Sequence, residues 1–170
     1  MNIYVSRFFW FLVVLALQVL VLNHVNIMGY AMPLAYVYYL LIMPSGVSRA
    51  LLLLWGFVGG FVFDLFANTP GIGAASMTLV ALIQPKLIVL MSDVEEDEVI
   101  IPSRKVMGRI GYFLYLLMMA LLVCTLFFAL ESFAVTNGLT LLKNIGGSTA
   151  LTTLIFLALE SIRSQLDRKD

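Results

Sequence analysis

Six apolar runs, at residues 8–22, 30–43, 51–66, 72–91, 110–130 and 145–162, follow one another along the chain with turn-forming residues between them. What remains of the sequence cannot cover runs of that length with polar surface. Apolar residues make up 62% of the 170 and charged residues 12%, against roughly 45–50% and 25% in a soluble domain. That balance excludes a soluble enzyme, a nucleic-acid-binding domain and a disordered linker. Strand-like alternation is missing, so the runs read as helices and not as barrel strands. The sequence therefore predicts an all-α, polytopic membrane bundle of six transmembrane helices. Several runs fall short of the roughly 20 residues that cross about 30 Å of hydrocarbon. Extended into their flanks, the spans become 8–25, 29–44, 50–66, 71–91, 110–130 and 144–162, one integral membrane domain over 1–170. Pro33 interrupts the second run, the weakest of the six. Arg7 precedes the first run and no small-x-small cleavage site follows it, so this segment reads as an uncleaved span.

Lysine and arginine set the orientation. With both termini cytoplasmic, Arg7, Arg49, Lys86, Arg104, Lys105, Arg109, Arg163, Arg168 and Lys169 lie inside and Lys143 outside, nine of the ten basic residues. Trp10, Trp55, Tyr112 and Tyr115 then fall near inner helix ends, where amphipathic rings favour the headgroup region. The cytoplasmic loop 92–109 has an acidic half (Asp93, Glu95, Glu96, Asp97, Glu98) and a basic end (Arg104, Lys105, Arg109). It is either a solvated loop or a docking segment for a cytosolic protein.

Signatures of catalysis are missing. There is no G-x-x-x-x-G-K-[ST] phosphate loop and no H-E-x-x-H. A single histidine, His24, and a single cysteine, Cys124, cannot build a His cluster or a disulfide. No catalytic, cofactor-binding or metal-ligating residue is assigned, and the chain reads as non-enzymatic.

The informative stretch is 56–76, G-F-V-G-G-F-V-F-D-L-F-A-N-T-P-G-I-G-A-A-S. Gly56, Gly60 and Asp64 recur at i, i+4 and i+8, near one face of the third helix. Glycines so spaced admit a neighbouring helix closely, either within the chain or in a dimer. Asp64 lies about 20 Å along that helix from Leu51, past the midplane. A carboxylate at mid-bilayer costs roughly 2.5–3.5 kcal/mol, so it should face the bundle and find a partner. Candidates at its level are Asn23, His24, Asn68, Lys143, Asn144, Ser148 and Thr149. It either locks helices by accepting hydrogen bonds or belongs to a ligand or partner site. A proton relay is disfavoured, because Glu131 and Glu160 both read as helix ends. Asn68-Thr69-Pro70-Gly71 is short enough to fold the fourth helix back on the third. Gly146-Gly147 with Ser148, Thr149, Thr152 and Thr153 gives the sixth helix a small, hydroxyl-bearing face for close packing.

The run Gly56-x-x-x-Gly60-x-x-x-Asp64-Leu65, followed by Asn68-Thr69-Pro70-Gly71-x-Gly73, resembles the signature of the rod shape-determining MreD family. Chain length, basic bias and helix count are similar as well. Many members place one glycine after the loop, where this chain has both Gly71 and Gly73. The resemblance implies a non-enzymatic, multipass inner-membrane component of the bacterial cell-elongation machinery. Its implied partners are an MreC-like single-span periplasmic protein and, through it, an MreB-type filament and the wall synthases. It also implies the six-helix shape of the substrate-binding subunits of energy-coupling-factor transporters. Gly56, Gly60 and Asp64 would then pack the core, with Asn68, Pro70, Gly71 and Gly73 shaping the hairpin.

The alternative is a small-molecule, vitamin-type binding subunit of a membrane transporter. Outer connections of about 7, 5 and 14 residues between the apolar runs leave little to close a pocket and favour the scaffold.

Overall fold

The computed structural model describes residues 3–20, 32–92, 99–132 and 138–166, and among them every regular element is helical. Helix α1 covers Ile3–Leu20, and a 3-10 turn at Ala35–Val37 runs into the short α2, Tyr38–Leu41. Four long helices follow: α3 (Arg49–Ala67), α4 (Ile72–Met91), α5 (Arg104–Glu131) and α6 (Gly138–Leu166). Each of α3 to α6 is long and apolar enough to cross a bilayer, and α1 adds a shorter apolar stretch, Phe11–Leu20. The protein is a helical membrane bundle. Consecutive long helices pack against each other, α3 on α4, α4 on α5 and α5 on α6. This alternation gathers Arg49, Lys86, Arg104, Lys105, Arg109 and Arg163 at one end, with Lys143 at the other.

The second expected span, 29–44, is not one helix. Among its described residues the chain has no regular structure at 32–34 and is helical only over 35–41. Pro33 supplies the reason: it lacks an N–H and turns the residue before it away from helical geometry. Residues 33–43 are all buried, so this broken segment threads the middle of the bundle. Irregular backbone at membrane depth survives only where protein satisfies its polar groups, and four helices do so here. Gln18 of α1 donates Nε2–H to the Pro33 carbonyl (2.9 Å) and accepts from the Ala35 N–H (2.8 Å). Ser148 and Thr152 of α6 accept from the N–H groups of Met32 (2.9 Å) and Leu34 (3.1 Å). Gln84 of α4 donates to the Met43 carbonyl (3.2 Å), and Tyr115 of α5 to that of Leu41 (3.2 Å).

Other boundaries also shift. The expected loop 92–109 ends early, because α5 begins at Arg104 with one turn. Gly108, at φ 70°, then breaks that turn from the membrane-crossing part. The acidic run 93–98 lies outside the described residues. Helix α6 extends past both ends of the expected 144–162. Tyr112 and Tyr115 are not interfacial rings but core residues, 2% and 0% exposed. Trp55 is half-buried, and the Trp10 side chain lies outside the described ones. Gly146 faces open space, whereas Ser148, Thr149, Thr152 and Thr153 are the buried small residues of α6.

Candidate functional site

The α3–α4 hairpin brings the sequence motif into one place. Asn68 ends α3 in the left-handed conformation (φ 56°, ψ 38°), which asparagine tolerates better than most residues. Gly71 adopts φ 84° just ahead of α4, so the two glycines after the loop have different jobs. Gly71 supplies the turn. Gly73 supplies room, since a Cβ there would lie 2.6 Å from Asp64 Oδ1.

Asp64 is 4% exposed and points at the start of α4. Its Oδ1 accepts from the Gly73 N–H (2.7 Å) and the Thr69 hydroxyl (2.8 Å), and its Oδ2 from the Ala74 N–H (2.9 Å). A helix N-terminus carries unsatisfied N–H groups and the positive end of the dipole, so a carboxylate is its natural partner. Asp64 thus caps α4 from α3. Of the partners expected for it, Asn23 and His24 lie outside the described residues. None of the others accepts or donates to its carboxylate; its side-chain partners are Thr69, Gly73 and Ala74. The pairing was readable from the helix start that follows Pro70-Gly71.

Gly56 and Gly60 hold the same two helices together. A Cβ on Gly60 would come within 2.6 Å of the Ala74 Cα, and one on Gly56 within 2.9 Å of the Ala81 Cβ. The glycine face is therefore filled from within the chain. Behind it, Phe63 stacks on Tyr36 of the buried segment, centroids 4.1 Å apart and planes 6° off parallel.

The opposite, bilayer-facing side of this hairpin carries a groove of about 840 Å³. Phe57, Phe61 and Leu65 wall it on α3, and Ala74, Ala75, Thr78 and Leu79 on α4. Asp64, Asn68, Pro70 and Gly71 lie at its loop end. Phe57, Phe61 and Leu65 are each about half exposed or more, at 51%, 48% and 67%.

A second buried carboxylate was missed from sequence. Glu160, read as a helix end, is 4% exposed. Its Oε2 accepts from the hydroxyls of Tyr38 and Tyr112, both at 2.8 Å, and pairs with Arg163 at 3.4 Å. The cluster ties α2, α5 and α6 at the basic end. Its signal was the Glu160-x-x-Arg163 spacing, which puts both groups on one helix face. Glu131, by contrast, is exposed at the end of α5. Among the described residues no three His, Cys, Asp or Glu side chains come together as metal ligands.

Comparison with family models, curated proteins and solved structures returned no match.

Proposed function

We propose that the protein is a non-enzymatic, multipass scaffold of the bacterial cell-elongation machinery, as its likeness to the MreD family implies. It sits in the inner membrane with both termini cytoplasmic. Helix α1 and the broken segment after it complete six crossings, in the manner of energy-coupling-factor binding subunits. Its direct partner is an MreC-like single-span protein, which links it to an MreB-type filament and the wall synthases.

One observation supports this reading most. Gly60, Asp64 and Gly73 are engaged with each other inside the hairpin and Gly56 packs on Ala81 of α4, which fixes a preformed groove on its bilayer-facing side. A transmembrane helix with its side chains is roughly 10 Å across, and a groove walled by two aromatic rings and small residues suits one side of it. The outer-side carboxylate around which a transporter subunit would hold its ligand, Asp64, is taken up by Thr69, Gly73 and Ala74.

The test is photo-crosslinking from Leu65 and Ala75 in native membranes, with the equally lipid-facing Leu154 of α6 as control. Capture of a single-span periplasmic protein from the groove positions and not from Leu154 is expected. Capture of a transport ATPase module instead, or identical adducts from all three positions, would overturn the scaffold. A vitamin-type binder keeps one supporting observation, the buried hydroxyls of Tyr36 and Ser76 without hydrogen-bond partners. A ligand retained through purification would favour it.

A further inference from the structure

The same hairpin has a second concavity, at its basic end. A cleft of about 170 Å³ lies between the start of α3 and the end of α4. Arg49 stands at one rim and Lys86 at the other, each from a different helix, over a floor that includes Leu52, Leu53 and Ala81. Both cations are exposed, and neither belongs to the Glu160 pair. Pro85 also lines the cleft. With no N–H, it leaves the Ala81 carbonyl without its i→i+4 donor.

Depth and direction fix what can lie here. Arg49 is the first residue of a membrane-crossing helix and Lys86 is in the last turns of another, so both sit at headgroup level. From Lys86 the α4 surface continues toward the membrane centre through Leu82 and Leu79, one and two turns away on the same face and 55% and 41% exposed. The chemistry is thus two cations for a phosphate and an apolar strip for an acyl chain.

We propose that this cleft is a binding site for one anionic phospholipid. Its phosphodiester lies between Arg49 and Lys86, and one acyl chain follows Leu82 and Leu79. The positive charge of this bundle end complements the negative leaflet surface. A cleft that brackets the phosphate adds geometry to that general attraction. The proposal needs only the membrane placement and is independent of the scaffold reading.

The test is native mass spectrometry of the full-length protein released from micelles, titrated with phosphatidylglycerol, phosphatidylcholine or inorganic phosphate. The expected result is a first phosphatidylglycerol bound at least tenfold more tightly than phosphatidylcholine. The pair Arg49→Gln with Lys86→Gln should abolish that preference. The pair Arg104→Gln with Lys105→Gln removes the same charge from the same end and should leave it within about threefold. Arg49→Lys with Lys86→Arg should retain it, which separates loss of charge from loss of fold. Equal losses in the two glutamine pairs would mean diffuse attraction only and overturn the site. Competition by inorganic phosphate at lipid-equivalent concentration would make it a free-anion site. A tenfold gain in lipid affinity on neutralising Asp93, Glu95, Glu96, Asp97 and Glu98 would make the chain's own acidic run the occupant. Either of these also overturns the lipid proposal.

Discussion

Replacing Asp64 with leucine isolates what the motif carboxylate does. The side chain accepts from two backbone N–H groups at the start of α4 and from the Thr69 hydroxyl, all in a setting where the residue is 4% exposed. Leucine keeps the γ-branched outline but is larger, so its methyl groups would crowd the α4 backbone that the carboxylate oxygens approach at 2.7–2.9 Å, and that crowding adds to the polar loss. Each buried donor left without an acceptor costs about 1–3 kcal/mol, which gives about 2–6 kcal/mol for the two N–H groups. Deleting an ordinary, water-exposed cap costs about 0.5–2 kcal/mol. Inside a bilayer no water replaces the lost acceptor, so the result should exceed that range. Asp64→Asn keeps one carbonyl oxygen and turns an amide donor toward the other side, leaving a single conflict worth about 1–3 kcal/mol. The assay is reversible unfolding of the purified protein in a fixed micelle composition, with stability ranked wild type, then Asn, then Leu. A Leu variant within about 0.5 kcal/mol of wild type, the scatter of ordinary surface changes, would refute the capping role. So would an Asn variant less stable than Leu.

Gly60→Ala should destabilise by about 1–3 kcal/mol, since its Cβ meets the α4 backbone, whereas Gly146→Ala faces open space and should cost nothing in the same unfolding assay. Glu160→Leu removes the acceptor shared by Tyr38, Tyr112 and Arg163 and should cost about 3–5 kcal/mol, with Glu160→Gln losing less because one oxygen remains. Ser148→Ala with Thr152→Ala frees the N–H groups of Met32 and Leu34, and hydrogen-exchange mass spectrometry should show faster exchange at 32–35 while the α3–α4 hairpin stays protected.

Helical membrane character was legible because it rests on run length and charge placement, which are local properties. The α3 and α4 boundaries fell within a residue or so of expectation, since Asn68 and Gly71 mark the turn between them chemically. The segment 29–44 was not legible as what it is. Its apolar composition fits a span, and only the polar residues that hold it, Gln18, Gln84, Ser148 and Thr152, reveal that its backbone is irregular. Those residues are far away in sequence. The sequence shows that Asp64 needs partners, but the backbone N–H groups of a helix start carry no side-chain signature, so the partners it does have are not legible as polar residues. Glu160 was misplaced because a charge near the end of an apolar run reads as solvated, and nothing local shows Tyr38 and Tyr112 converging on it.

The buried polar groups and the exposed apolar ones carry different kinds of information in this bundle. Gln18, Ser148 and Thr152 each hold backbone of an interrupted segment, and Asp64 holds the first turn of a helix. Removing any of them therefore acts on stability first, and any loss of activity would follow the loss of fold. Phe57, Phe61, Leu65 and Ala75 are exposed on the outside of the bundle and hold nothing comparable in place. Substituting them should leave unfolding unchanged while altering what the hairpin can bind. A scaffold is thus distinguished from a merely stable bundle by Phe61→Ala and Ala75→Leu, not by Asp64→Leu. If those groove variants support wild-type rod growth at wild-type protein levels, the groove is lipid surface and the proposed scaffold role loses its main support.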